Sequence, residues 1–372
     1  MNVLVFNVGS TTLKYACIDT VAGTTSETGL ADRIGQPGGD AATHLAAAQA
    51  VIDKVGWEKI DAIGHRIVQG GSRFSGPTLV SADVLTDLKK LDSLAPLHNP
   101  AARQVAEGLV DIRLPQVLVF DTAYFASLEP VAYRYAVPER WYRDYGVRRY
   151  GFHGTSHEYV TQRALQEVSH PDTARCISLH LGGGASMTAS VGGVAIDTSM
   201  GMTPLQGLVM ATRTGDIDPA IPLYLMETTG ASAKAVQTVL NRESGLVGLC
   251  GDCDMRMILK RRDQGDSDAS LAIDIYVRTI IKMIGSYYAI LGGVDILVFT
   301  AGIGEHSPEI RRLVCQAVKH LGVKISTQAN HACAGELSDI SATDSRVKTL
   351  VIATNEELAI ARQVSSSYQK LR

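Results

Sequence analysis

Two segments of the chain share one plan: an apolar strand, a polar glycine-bearing turn, a second strand, and then an aspartate. The first is VLVFNVGSTTLKYACID, Val3–Asp19, and the second is ISLHLGGGASMTASVGGVAID, Ile177–Asp197. A simple hairpin closes with two residues such as Asn-Gly, so the polar turn Asn7–Thr12 is longer than strand reversal requires. Glycines allow positive φ and close backbone approach, so such a turn can aim several N–H groups at one anion. One turn of this kind is only a turn. Two in equivalent settings point to a duplicated domain, with the turns facing each other across a cleft that holds phosphate and metal. Lys14 follows the first turn and can reach a phosphoryl oxygen as a point charge.

A length of 372 residues is too great for one ordinary core and predicts two domains. Strand-like runs recur at Val3–Phe6, Leu13–Ile18, Ala62–Val68, Val117–Phe120, Cys176–Leu181, Ser186–Val191, Ile296–Thr300 and Thr349–Ala353. Between them, helical spacing covers Ala41–Val55, Ser81–Leu91, Pro100–Leu109, Glu158–Val168, Asp274–Leu291 and Pro308–His320. Strands alternating with helices predict an α/β fold with mixed sheets. The final residues, Ser365–Arg372, read as a frayed tail.

A net charge of −3 gives no bulk attraction to nucleic acid or to an anionic membrane. The opening MNVLVFNVGS lacks a signal peptide's basic and long apolar regions. No apolar run approaches the roughly 20 residues that span a bilayer, so a cytoplasmic protein is expected. Among six cysteines only Cys250-Gly-Asp-Cys253 has metal or redox spacing. With no second ligand pair beside it, two ordinary buried thiols are the expectation. No P-loop pattern occurs. FTAGIGEHSPEIRR has G-x-G after a strand but lacks the third glycine of a dinucleotide fold. It reads as a loop that lays its backbone against a nucleotide before a helix opening at Pro308.

The motifs NVGSTTLK, GHRIVQGG, LAPLHNP, FDTAYF, RYGFHGTSH, SLHLGGGASM, DTSMGMTPLQGL, TRTGDIDP, DMR, TAGIGEHSPEIR and TNEELAIAR stand in the order found in acetate kinases. The chain resembles that family, with its propionate and butyrate relatives, from end to end. The resemblance implies the acetate and sugar kinase/actin superfamily fold: two ribonuclease H-like, actin-like α/β domains with a nucleotide cleft between them. It assigns residues 1–125 plus 356–372 to the first domain and 126–355 to the second, which carries the nucleotide site and a homodimer interface. It also implies Mg2+-dependent, reversible, direct in-line phosphoryl transfer from ATP to acetate, giving acetyl phosphate and ADP, with Mn2+ able to replace Mg2+. The chain departs from the family pattern at Phe125, where a histidine is usual, at Met257, where an aspartate is usual, and in a shorter region before GHRIVQGG.

Phosphoryl transfer asks mainly for alignment and neutralised charge. A carboxylate acceptor is already ionised near neutral pH, so no proton must be removed and cations matter most. By resemblance, Arg66 and Arg213 flank the acceptor and the transferring phosphoryl group, where a guanidinium fork suits both anions. His153 is assigned to the transition-state oxygens, beside a helix start where Thr155 and Glu158 form a capping box. Asp121 is the family's acid/base candidate, for which the proton argument favours a positioning role. Asn7 and Glu356 resemble the metal ligands; Thr354 and Glu357 make a second capping box that leaves Glu356 free. The nucleotide is assigned to Lys14, His180, Leu181, Gly182, Gly183, Gly184, Asp254, Met255, Arg256, Gly302, Ile303, Gly304, Glu305 and His306. Val68, Leu97, Phe152 and Pro204 are assigned to the acyl pocket, and Val68 favours acetate by a small margin over propionate. Replacing Arg66 or Arg213 by alanine is expected to spare folding and cut turnover. The competing class is an ATP-driven filament or chaperone of the actin kind, which has no reason to assemble Arg66, His153 and Arg213.

Overall fold

A computed structural model of the chain describes Met1–Pro96 and His98–Gln369. Its contacts divide it into two compact units, Met1–Ala126 with Phe152–Tyr159 and Asn355–Arg372, and Ser127–Gly151 with Val160–Thr354.

The first unit is built on strands β1 (Asn2–Val8), β2 (Leu13–Asp19), β3 (Thr24–Ala31), β4 (Ala62–Ile67), β5 (Thr78–Leu79) and β6 (Gln116–Phe120). Their spatial order is β3-β2-β1-β4-β6-β5. The first three form an antiparallel meander, β4 and β6 run parallel to β1, and β5 closes the edge antiparallel to β6. Side chains alternate across a strand, and β1 shows the consequence. Leu4, Phe6 and Val8 join Val51, Ile52 and Val105 in one core. Val3 and Val5 join Leu358, Ile360 and Val364 of the helix Glu356–Gln369 in another. Burying such a side chain is worth about 1.5–3 kcal/mol. Gly64 makes this approach possible, because a Cβ there would sit 2.9 Å from Val364 Cγ2 and 3.0 Å from Ile360 Cγ2. The tail read as frayed is therefore helical through Gln369, with Ser365 buried on the face that packs against the sheet. Residues 370–372 lie outside the described residues.

The second unit has strands β7 (Arg175–Leu181), β8 (Ala185–Val191), β9 (Val194–Thr198), β10 (Ile296–Thr300), β11 (Leu337–Asp339) and β12 (Lys348–Ile352). Their order, β11-β12-β10-β7-β8-β9, is the first sheet's order read from its other end. The directions agree strand for strand: a meander β7-β8-β9, β10 and β12 parallel to β7, and β11 antiparallel at the edge. The two glycine turns thus occupy equivalent places. Gly9 donates to Thr12 O at 2.8 Å between β1 and β2, and Gly182 donates to Gly184 O at 3.0 Å between β7 and β8. The long helix Ser267–Leu291 starts at Asp266, whose side chain accepts from the Asp268 and Ala269 N–H groups, and ends at left-handed Gly292. Ile273, Tyr276, Ile280, Ile284 and Tyr287 form its buried stripe.

Four differences separate the structure from what the sequence led one to expect. The helix expected from Glu158 begins at Gly154, and the one expected from Asp274 begins at Ser267. Residues Phe152–Tyr159 belong to the first unit although they fall inside the span assigned to the second domain. The reason is local: Gly154 N donates to Asp121 O at 2.9 Å, and a Cβ on Gly154 would overlap that oxygen. The TAGIGEH segment is a helix, Ala301–His306, where a loop was expected. No described helix is long and apolar enough to cross a membrane.

Candidate active site

In the first unit the parallel strands bring four polar side chains to one point. Arg66 comes from β4, Asn7 from β1, Asp121 from the residue after β6, and Glu356 from the first turn of the final helix. Arg66 forms a bidentate pair with Asp121, Nε to Oδ1 at 2.9 Å and Nη2 to Oδ2 at 2.7 Å. Its Nη1 donates to Asn7 Oδ1 at 3.1 Å and lies 3.2 Å from Glu356 Oε2. Burial alone would lower the Arg66 guanidinium; the charges of Asp121 and Glu356 outweigh it and leave the group raised. Glu356 is pushed above the ordinary carboxylate range by burial, against the opposing pull of Arg66.

Asp121 is held from further directions. Its N–H donates to Ile67 O, and its Oδ1 accepts from Thr155 Oγ1 at 3.0 Å. The Thr155 hydroxyl donates to Asp121 from within the helix Gly154–Leu165, and Glu158 accepts from Gln363 at 2.8 Å. At the second expected capping box the final helix begins at Glu356, one residue after Asn355. Asn355 caps the final helix, accepting from Leu358 N at 3.0 Å, and Glu357 pairs with Lys14 at 2.7 Å. A short polar side chain directly before the helix fits the N-terminus better than one a residue earlier. His153, immediately before the Gly154–Leu165 helix, has a φ of 57°, a conformation that costs a non-glycine residue about 1–3 kcal/mol and concentrates at working sites. Val68 and Phe152 also lie in this unit, the latter fully buried. Leu97 lies outside the described residues.

The donor set of Asn7 and Glu356 fits a hard divalent cation in kind. Both present oxygen to a single point, the Arg66 Nη1 atom, and Mg2+ takes few protein oxygens with water and phosphate completing its shell.

In the second unit, Arg213 stands in different surroundings. Its guanidinium donates to Pro204 O at 3.1 Å and approaches Met210 Sδ at 3.9 Å. No carboxylate pairs with it among the described residues, and burial lowers its affinity for a proton. A partly buried guanidinium without a charged partner is a receptor for an anion.

A cleft of about 830 Å3 opens in the same unit. It gathers Gly182, Gly183, Asp254, Met255, Arg256, Gly302, Ile303 and His306 from the residues singled out above. Asp254 caps the helix Met255–Asp263 and is held down to about 2 by hydrogen bonds from the Arg256 side chain and N–H. The cleft wall does not include His180 and Leu181, both buried in β7, or Gly184, Gly304 and Glu305. Lys14 lies in the first unit, on its ion pair with Glu357. Sequence reasoning missed Cys253, Leu259, Arg262, Asp263 and the run Ser307–Glu309 as cleft residues. Helical spacing carried a signal for part of this: Arg256, Leu259 and Asp263 fall at i, i+3 and i+7, on one face. Of the CGDC pair, Cys253 is exposed at the cleft, contrary to the expected buried thiol, and Cys250 is buried with Sγ 3.3 Å from Leu246 O.

A duplicated α/β sheet pair with glycine turns at equivalent places, an interlocked arginine–carboxylate cluster and a glycine-lined cleft define the class as a phosphotransferase of the two-domain actin-like fold. The comparisons carry this to a family. The Acetokinase family model matches residues 48–362. An acetate kinase of Dictyoglomus turgidum is 44% identical over 98% of this chain and 96% of the relative. Among solved structures, an acetate kinase of Porphyromonas gingivalis superposes with a TM-score of 0.92 at 37% identity, covering 100% of both chains. A propionate kinase of Francisella tularensis gives 0.91 at 38%, covering 97% of this chain and 98% of that one. The chain belongs to the acetokinase family.

Proposed function

We propose that the chain is an acetate kinase, transferring the terminal phosphoryl group of ATP reversibly to acetate. In the forward direction an acetate oxygen forms the new P–O bond while the bond from phosphorus to the β,γ-bridging oxygen breaks, giving acetyl phosphate and ADP. No proton moves in this step, so the protein's task is to hold two anions together and shield their charge. The observation that carries the reading is Arg213, a partly buried guanidinium with no carboxylate partner among the described residues, in a chain similar to acetate kinases over 98% of its length.

Arg213 would take the transferring phosphoryl group, and Arg66 the acceptor carboxylate. His153, held at a strained turn, would bind equatorial oxygens of the transition state. Asp121 fits a positioning role: both its oxygens already accept from Arg66, and Oδ1 also from Thr155, which leaves it poorly placed to act as a base. The cleft residues Gly182, Gly183, Asp254–Arg256, Gly302, Ile303 and His306 would hold the nucleotide, and His180 and Lys14 are assigned to its phosphates. A divalent cation, Mg2+ by preference, would be held by Asn7 and Glu356 and would neutralise phosphate charge when bound. Val68, Phe152 and Pro204 would recognise the acyl group.

A second copy of the chain is the expected partner. The helix Ala220–Thr229 buries none of its residues and exposes Ile221, Leu223, Tyr224 and Leu225, an apolar surface that a homodimer would cover. A cytoplasmic location suits these substrates.

Propionate kinase is the second reading. It is favoured by the Francisella tularensis structure, which is as similar as the acetate kinase structure of Porphyromonas gingivalis. Trapping acyl phosphate with hydroxylamine tests both. With MgATP, acetate is expected to give acetohydroxamate at a higher kcat/KM than propionate gives propionohydroxamate. A higher value for propionate favours the second reading, and no hydroxamate from either acid removes both.

A further inference from the structure

The helix Ala301–His306 supplies Gly302, Ile303 and His306 to the cleft, yet six residues do not hold a helix without outside support. Two charged side chains provide it, one at each end. At the start, the chain turns through Ala301 with a φ of 64°. There Glu305 folds back along its own helix, and its Oε1 accepts from Ala301 N at 2.8 Å. The same oxygen accepts from Thr354 N at 3.0 Å, fixing the helix to the segment after β12. At the other end, Arg311 donates from Nη1 to the carbonyls of Gly304 at 2.9 Å and Glu305 at 2.7 Å. Its Nε and Nη2 bond the side-chain and backbone oxygens of Asn330, each at 2.7 Å.

Arg311 is 1% exposed, and every hydrogen-bond partner it has among the described residues is a neutral carbonyl. Burying a guanidinium without a carboxylate is unfavourable, so its placement against a helix C-terminus calls for a reason. The carbonyls there are the ones a helix leaves without partners and carry its negative end. Arg311 answers that end, as Glu305 answers the first N–H. Neither side chain lines the cleft.

We propose that Glu305 and Arg311 are positioning residues for the nucleotide. They fix the short helix at both ends so that its Gly302–Ile303 face meets the nucleotide without first having to order. The inference rests on the nucleotide reading of the cleft, and its test separates the two. Calorimetric titration with ADP, in the absence of acetate, is compared across wild type, Glu305→Gln, Glu305→Leu and Arg311→Lys. Glu305→Leu is expected to weaken ADP binding by about tenfold or more, the loss of the hydrogen bonds that one oxygen accepts from Ala301 N, Thr354 N and, at 3.4 Å, the Thr300 hydroxyl. Glu305→Gln keeps an amide oxygen for both N–H groups and is expected to stay within about threefold of wild type. In turnover, the KM for ATP rises while the KM for acetate stays unchanged. Arg311→Lys, which keeps the charge but reaches fewer carbonyls, is expected to follow Glu305→Leu, and it decides the matter if Glu305→Leu does not fold. Wild-type ADP affinity in a folded Glu305→Leu or Arg311→Lys variant overturns the inference, as does equal weakening of both substrates. Failure of the wild type itself to bind ADP overturns the nucleotide reading.

Discussion

Arg66 and Arg213 are two partly buried arginines in two units of like topology, and their surroundings are opposite. Arg66 is met by both oxygens of Asp121, by Asn7 and by Glu356. Arg213 meets a carbonyl and a thioether sulfur. The first charge is answered by carboxylates of the fold before any acceptor binds; the second has no charged partner among the described residues and is left wholly for a substrate. The contrast separates two uses of a partly buried cation, since the removal of one exposes other charges and the removal of the other exposes none.

The largest expected effect tests the neutralised side. Arg66→Met leaves Asp121 and Glu356 without their cation and is expected to cost about 3–5 kcal/mol of stability, read by chemical denaturation. This revises the expectation that Arg66 could be removed with folding intact. Arg213→Met is expected to keep or raise stability, because no group loses a charged partner. Its turnover should fall by about 10²–10³-fold, or about 2.7–4 kcal/mol of transition-state stabilisation. Equal stability losses in the two variants would erase the comparison.

A third prediction uses the core beside Arg66. His65 is fully buried and held down to about 4, with burial the chief cause and the 2.8 Å bond to Gln116 opposing it. Unfolded histidine titrates near 6.5, so between pH 6.5 and 4 the unfolded chain binds a proton that the folded chain refuses. Stability is therefore complete above about pH 6.5 and falls as the pH drops toward 4, by about 3 kcal/mol in all. His65→Gln should flatten that slope. The smallest effect is expected of Thr155→Val, which removes one hydrogen bond to Asp121 and should cost about 1–2 kcal/mol with a modest drop in kcat and no change in the KM for ATP.

Much of the fold was legible because it rests on short continuous apolar runs that are buried along nearly their whole length. β1, β2, β4, β6, β7, β8, β10 and β12 all stand where apolar runs placed them. The strands β3 and β9 were missed because they are edge-side and largely polar or exposed, as TTSETGLA shows. Glycine in both turns made the duplication readable before any strand order was known. Side-chain partners were less legible. Thr155 and Glu158 have capping-box spacing, and nothing local says that Asp121, 34 positions earlier, claims the hydroxyl. TAGIGEH looks like a loop because its helix is fixed by Arg311 and Glu305, which are contacts that local propensity does not register. The contrast between the two arginines was invisible in sequence, since GHRIVQGG and TRTGDIDP say nothing of distant partners.

The central claim is that Arg213 is the cation held open for the transferring group. A crystal grown with MgADP, acetate and a planar phosphoryl mimic tests it most directly. The Arg213 guanidinium is expected to donate to the mimic at about 3 Å. A mimic bound beyond hydrogen-bond reach of Arg213, with that guanidinium still turned to the Pro204 carbonyl alone, would contradict it.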